Sequence, residues 1–234
     1  MVVASCGSSP SGSAGSRPGT TGTTTTSTTT TTTSTTTTTR PPTTTTTSAP
    51  PSTTTTLAAG HLPQTAAFPS ATTPGFHHEM ADLWRAIMTG RTADALPAFF
   101  PEAAYEQVKA IADPGYDWTD RLLAEFDLDI AAAHRYLGSG ARSARLLEVE
   151  VASSDAAWIP PGDCYNSVGY WHAPGNRLVY AEHGEVRSIG IASLISWRGV
   201  WYVVHLGAVL RSSDSGIVDD PTTGSGYLGP PGGC

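Results

Sequence analysis

The side chains that exchange protons or bind metals near neutral pH are few in this chain: seven His and three Cys, with eight Tyr, among 234 residues. His205 is the first candidate. It alternates with Trp201 and Val203 along a run that reads as a strand, so it is expected on the same face as those two. In a cavity it would be a general base; in a core it would be a hydrogen-bonded imidazole. Tyr180, on an earlier strand candidate, joins His205 and Trp201 in a candidate pocket. His172, beside Tyr170 and Trp171, reads as a strand-end residue. His134-Arg135 and Asp127/Asp129 fall on one long helix, where a charged outer face accounts for them.

Metal and nucleophile patterns are poor. His77-His78-Glu79 lacks the i, i+4 spacing that puts two imidazoles on one helix face. Cysteines at 6, 164 and 234 make no CxxC pair. Gly138-Ser139-Gly140 follows a helix and precedes a strand, the reverse of a phosphate loop. Gly190-Ile191-Ala192-Ser193 lacks the second glycine of a nucleophile elbow. No catalytic set, metal or cofactor is expected.

The elements that must position these residues follow from periodicity. Met80, Leu83, Trp84, Ile87 and Met88 share one helix face, with Gly90 as the stop. A second helix is expected over Thr92–Phe100 with Thr92 as cap. A third opens at Pro101, with Tyr105, Val108 and Ile111 inward. A longer one runs from a cap at Asp117 to Leu137. From Arg145 the period becomes two. Strands are expected at Leu147–Val151, Tyr165–His172, Arg177–Glu182, Val186–Trp197 and Val200–Leu206, the last two joined by a hairpin at Arg198-Gly199. Helices followed by an antiparallel meander give an α+β fold, with the helices on one sheet face.

Composition divides the chain. Between Thr20 and Thr56, 26 of 37 residues are Thr. Residues 1–75 carry Arg17 and Arg40 and no acid, so all 20 acidic residues lie beyond. The expected division is 1–6 as the end of a signal peptide, 7–75 as a disordered Thr/Ser/Pro-rich linker, 76–211 as the folded domain and 212–234 as a flexible tail. A spacer with so little to bury does not offset its ordering entropy. It reads equally as an O-glycosylated stalk or a bare linker. An acidic folded part without a basic patch argues against nucleic acid. No apolar run reaches the ~18 residues of a spanning helix.

Val3-Ala4-Ser5-Cys6 resembles a bacterial lipobox, followed by the polar tether Gly7-Ser8-Ser9-Pro10-Ser11-Gly12. That resemblance implies lipidation at Cys6, in a precursor with a basic and apolar stretch upstream, and hence a membrane-anchored, extracytoplasmic envelope protein. The usage of 12 Arg against the single Lys109, with abundant Ala and Gly, is similar to that of actinobacterial envelope proteins. If lipid consumes Cys6, then Cys164 and Cys234 remain as a pair that an oxidising compartment would couple. The alternatives are Cys164 as a small buried residue and Cys234 as a free or intermolecular thiol.

Leading helices, long strands and the closing Ile195-Ser196-Trp197-Arg198-Gly199-Val200-Trp201-Tyr202-Val203-Val204-His205-Leu206 hairpin are similar to the NTF2-like (cystatin-like) cone over residues 77–207. The family's usual short strand pair between the second and third helices is missing. The resemblance implies a pocket between curved sheet and helices, which in such folds serves enzymes, binders and inert modules alike. Two function classes follow: a surface-tethered, non-catalytic module binding a small ligand or a cell-wall partner, or an enzyme with His205 as general base.

Overall fold

The computed structural model describes residues 59–229. The expectations for Cys6, for the spacer up to residue 58 and for Cys234 lie outside the described residues. Within them the fold is α+β, with helices packed on an open antiparallel sheet.

Helix α1 (Pro74–Thr89) forms where its apolar stripe requires. The Thr73 side chain accepts from the Phe76 amide, Pro74 occupies the first turn, and Phe76, Met80, Leu83, Trp84 and Ile87 are buried. Gly90 ends it at φ 67°, a left-handed position packed against the His134 ring. The segment Thr92–Ala98 is a 3₁₀ helix around Pro97, and Arg91, not Thr92, holds the cap position. After α2 (Glu102–Val108), the Asp113 carboxylate accepts from the Tyr116 amide and starts α3 (Pro114–Asp117). A π-helical turn over Trp118–Leu123 links α3 to α4 (Ala124–Leu137), so the long helix begins earlier than expected. Asp117 is thereby released from capping and pairs with Arg121 at 2.6 Å.

The sheet is built on two long strands, β3 (Tyr170–Glu182) and β4 (Glu185–Trp197). On the outer edge of β3 lie β1 (Arg145–Glu150) and the unforeseen β2 (Ala157–Ile159). On the outer edge of β4 lie β5 (Val200–His205) and the two-residue β6 (Thr222–Thr223). The two strands expected between Tyr165 and Glu182 are one. Pro174-Gly175 does not break it, because β2 pairs as far as His172 and β1 from Arg177. The missing Pro174 amide therefore faces the gap between them. The Asn176 side chain fills that gap, accepting from the Ala152 amide and donating to the Ala173 carbonyl.

Both sheet faces are covered. Opposed residues share a face, so Tyr180, Leu178, Ile189, Ile195 and His172 point one way, toward the helices, where Tyr180 meets Trp84 at 5.1 Å. Trp171, Trp201, Leu194 and Arg177 point the other way. That face is covered by two segments expected to be loose. Residues 59–73 form a strap: on this face the Trp171 indole donates to the Ala66 carbonyl and Phe68 packs edge-on to Trp171 at 4.9 Å, while Trp197, on the helix face with Ile195, donates its indole N–H to the Ala59 carbonyl, and Gln64 bonds the Ser196 carbonyl and the Arg198 amide. Residues 212–229 fold back as well, and the Gly190 amide donates to Asp219 at 2.7 Å. Residues 59–75, expected in the linker, and residues 212–229, expected in the tail, thus pack with the domain expected over 76–211. Both segments are held largely by hydrogen bonds to backbone groups, which composition does not display.

Candidate functional site

A cavity of about 160 Å³ lies on the helix side of the sheet. Its roof comes from α2 and the π-helical turn, through Tyr105, Lys109, Arg121 and Leu122. Its floor comes from the central strands, through His172, Ser193 and Ile195, with Val204 and His205 from β5. Ile159 of β2 and Cys164 of the following loop close one end. That loop is anchored to the end of α2, where Ala110 donates to the Tyr165 carbonyl at 2.7 Å and Lys109 Nζ to the Cys164 carbonyl at 3.0 Å. Cys164 and Tyr165 both hold positive φ, 51° and 56°, which these contacts sustain against steric preference. Cys164 is disulfide-bonded; the expected partner, Cys234, lies outside the described residues.

His205 reaches the cavity by a route the alternation pattern excludes. Between the pairs Leu194↔Val203 and Ser193↔His205, β4 advances one residue and β5 two. This bulge at Val204 reverses the phase of the strand, so His205 shares a face with Ser193 and Ile195 and not with Trp201 and Val203. The three residues expected to form one pocket are therefore separated. Trp201 is fully buried on the opposite face, 6.0 Å from Phe68. Tyr180 lies at the far end of β3, opposite Arg187, buried under Trp84. Its hydroxyl, pushed up to about 12 chiefly by burial, has no hydrogen-bond partner among the described residues. Only His205 of the three lines the cavity.

The electrostatics are set by burial and by neighbouring cations. His205 is driven down to about 4, first by desolvation and then by Arg121, Arg211, His172 and Lys109. Its nearest carboxylate, Glu125, stands 3.9 Å from Nδ1, beyond hydrogen-bond range. Burial also lowers His172, whose Nε2 lies 2.8 Å from Ser193 Oγ. Lys109 is lowered by burial and then by Arg121. Asp117 accepts from the Arg121 guanidinium, which chiefly holds its carboxyl below the usual range, and from the Tyr105 hydroxyl, which adds to it.

The expectation of a solvated helix face fails at Asp129, which is fully buried. It accepts from the amides of Gly207 and Ile217, both at 2.8 Å, and from Arg211. His134 binds the Ile87 carbonyl at 3.0 Å, a contact between α4 and α1. His172, read as the end of a strand over Tyr165–His172, instead lies within β3 and on the cavity floor. Tyr105, Lys109 and Arg121 carried no signal beyond ordinary helix positions, and Ser193 none beyond its strand. Among the described residues no group of three His, Cys, Asp or Glu is placed to hold a metal, and no helix is long and apolar enough to cross a membrane. Comparison with protein-family models, curated proteins and solved structures finds no match to this chain.

Proposed function

We propose that the chain is a surface-tethered, non-catalytic module of the cell envelope whose α+β domain binds a small ligand in this cavity. The observation that carries the reading is the cavity itself. It is mostly apolar, enclosed by helices, sheet and an anchored loop, with a few polar groups converging on it, which is the character of a small-molecule site. Its place between helices and sheet is what an NTF2-like cone would supply, and the proposal extends to that fold family. The lipobox-like Val3-Ala4-Ser5-Cys6 and the Thr-rich spacer support an anchor at Cys6 that holds the domain off the membrane. Catalysis by His205 is the weaker reading. A general base works best near the operating pH, and this imidazole sits at about 4 without a carboxylate in hydrogen-bond range.

The binding reading is tested by fragment screening on the full chain, with the ring resonances of His172 and His205 as reporters. Fragments that shift both and compete with one another are expected; a screen that moves neither ring overturns it. The anchor is tested separately, by mass spectrometry of the native protein's N-terminus. Diacylglycerol in thioether linkage at Cys6 is expected, and an unmodified Cys6 in envelope fractions removes the tether.

A further inference from the structure

We infer that the cavity selects a small monocarboxylate, an apolar body about the size of a benzene ring bearing one carboxylate held by Lys109 and His205. This rests on the reading of the cavity as a ligand site and assigns the ligand's chemistry.

The first observation is an inversion of charge. The chain carries a net −7, yet no Asp or Glu lines the cavity, while Lys109, Arg121, His172 and His205 all do. Of the nearby acids, Asp117 is engaged with Arg121 and Tyr105, and Glu125, outside the lining, stands 3.5 Å from Arg211 and 3.9 Å from His205. Arg121 is thereby neutralised in place, and His172 is bonded to Ser193.

Lys109 and His205 are not provided for in this way. An ammonium has three donors. Among the described residues Lys109 Nζ finds one acceptor, the Cys164 carbonyl, which leaves two N–H directions. His205 has no acceptor within hydrogen-bond range of its ring among the carboxylates, Glu125 being 3.9 Å away. Burial depresses the charged forms of both groups, and repulsion by neighbouring cations adds to it, from Arg121 for Lys109 and from Arg121, Arg211, His172 and Lys109 for His205. An anion between them would relieve that repulsion and supply the missing acceptors.

The remaining wall sets the rest of the ligand. Leu122, Ile159, Ile195, Val204 and Val209 are apolar. The volume of about 160 Å³ is close to the ~150 Å³ of an apolar cavity that takes up benzene. The donors left over suit the two oxygens of a carboxylate and are too few for a phosphate dianion. A cationic ligand would meet the Lys109 ammonium with no carboxylate on the lining to offset it.

Three near-isosteric probes decide the matter: benzoate, benzyl alcohol and benzylamine, titrated calorimetrically into the full-length protein. Benzoate should bind at least ~10-fold tighter than benzyl alcohol, the value of one charge-assisted contact, and benzylamine should not bind measurably. Lys109→Met should weaken benzoate by at least ~10-fold, and more than it weakens benzyl alcohol. Should that variant fail to fold, the ranking of probes on the unaltered protein still decides. Benzyl alcohol or benzylamine binding as tightly as benzoate overturns the anion assignment while leaving the cavity a ligand site. Saturable binding by none of the three, together with fragments of other chemistry that do shift the His172 and His205 rings, also overturns the assignment alone. Failure of every fragment defeats both readings.

Discussion

A buried imidazole facing two guanidinium groups charges reluctantly, and His205 is in that position. Arg121, Arg211, His172 and Lys109 oppose its protonation, while Glu125 at 3.9 Å favours it. NMR titration of the His205 ring should give a midpoint near 4. Its folded pKa lies below the unfolded one, so its contribution to stability is complete above pH ~6.5 and declines as pH falls toward the folded value. A midpoint at the unperturbed value would mean that the ring is solvated, and one above it that Glu125 pairs with the charged ring. Glu79 has the opposite sign. Burial first, and Asp82 second, raise its carboxyl to about 7. Its contribution is full below the ordinary carboxylate pKa and is lost as pH rises through about 7. Glu79→Gln should melt with the wild type in mild acid and above it in mild alkali. Equal melting temperatures at both ends would show an exposed, unperturbed carboxyl.

The closing hairpin and the strap behave as one element. Trp197 and Trp201 are fully buried, Arg198 and Gly199 both hold the positive φ that a tight two-residue hairpin needs, and Gln64 of the strap bonds to the turn. Trp201→Ala should destabilise by ~3–5 kcal/mol, the range for a large aromatic removed from a core. A loss below ~1 kcal/mol would mean that the strap does not cover the ring. Limited proteolysis should leave a fragment beginning near Ala59, since the strap spans the carbonyls to which two indoles donate. Rapid trimming to His77 would place the strap outside the cooperative unit. The hairpin was legible because its apolar residues and turn dipeptide agree. The strap was not, because two of its attachments are backbone carbonyls, which every residue has, and the others are single side chains, Gln64 and Phe68, with no periodic pattern around them.

Across the described residues, the chain after β5 ties helices and sheet together through a buried ion pair at Asp129 and a buried arginine, Arg177, whose acid partner Asp220 is exposed. Asp129 of α4 binds the amides of Gly207 and Ile217 and the Arg211 guanidinium. Arg177 of β3, only 2 % exposed, donates to Ser188, to the Asp220 carboxylate at 2.8 Å and to the Ser225 carbonyl. Removing one partner of such a pair strands the other in a dry site. Asp129→Ala should therefore cost ~3–5 kcal/mol by denaturant unfolding. A cost within the range of a surface substitution would show Arg211 free to reach solvent. Neither centre was visible beforehand, since Asp129 looks like any acid on a charged helix and its partners lie 78 to 88 residues away.

What the residues determined by themselves was local. The stripe Met80, Leu83, Trp84 and Ile87, the two-residue period after Arg145 and the turn at Arg198-Gly199 each specify an element through spacing and backbone preference, and together they specify α+β. The site was decided by tertiary structure. One extra residue at Val204 turns His205 to the opposite face from Trp201, and a period-two reading has no means of placing such an insertion. Tyr105, Lys109 and Arg121 meet His205 only because α2 and the π-helical turn lie over β5. Spacing along a chain fixes which side chains share a face; which faces meet depends on packing between segments far apart in sequence.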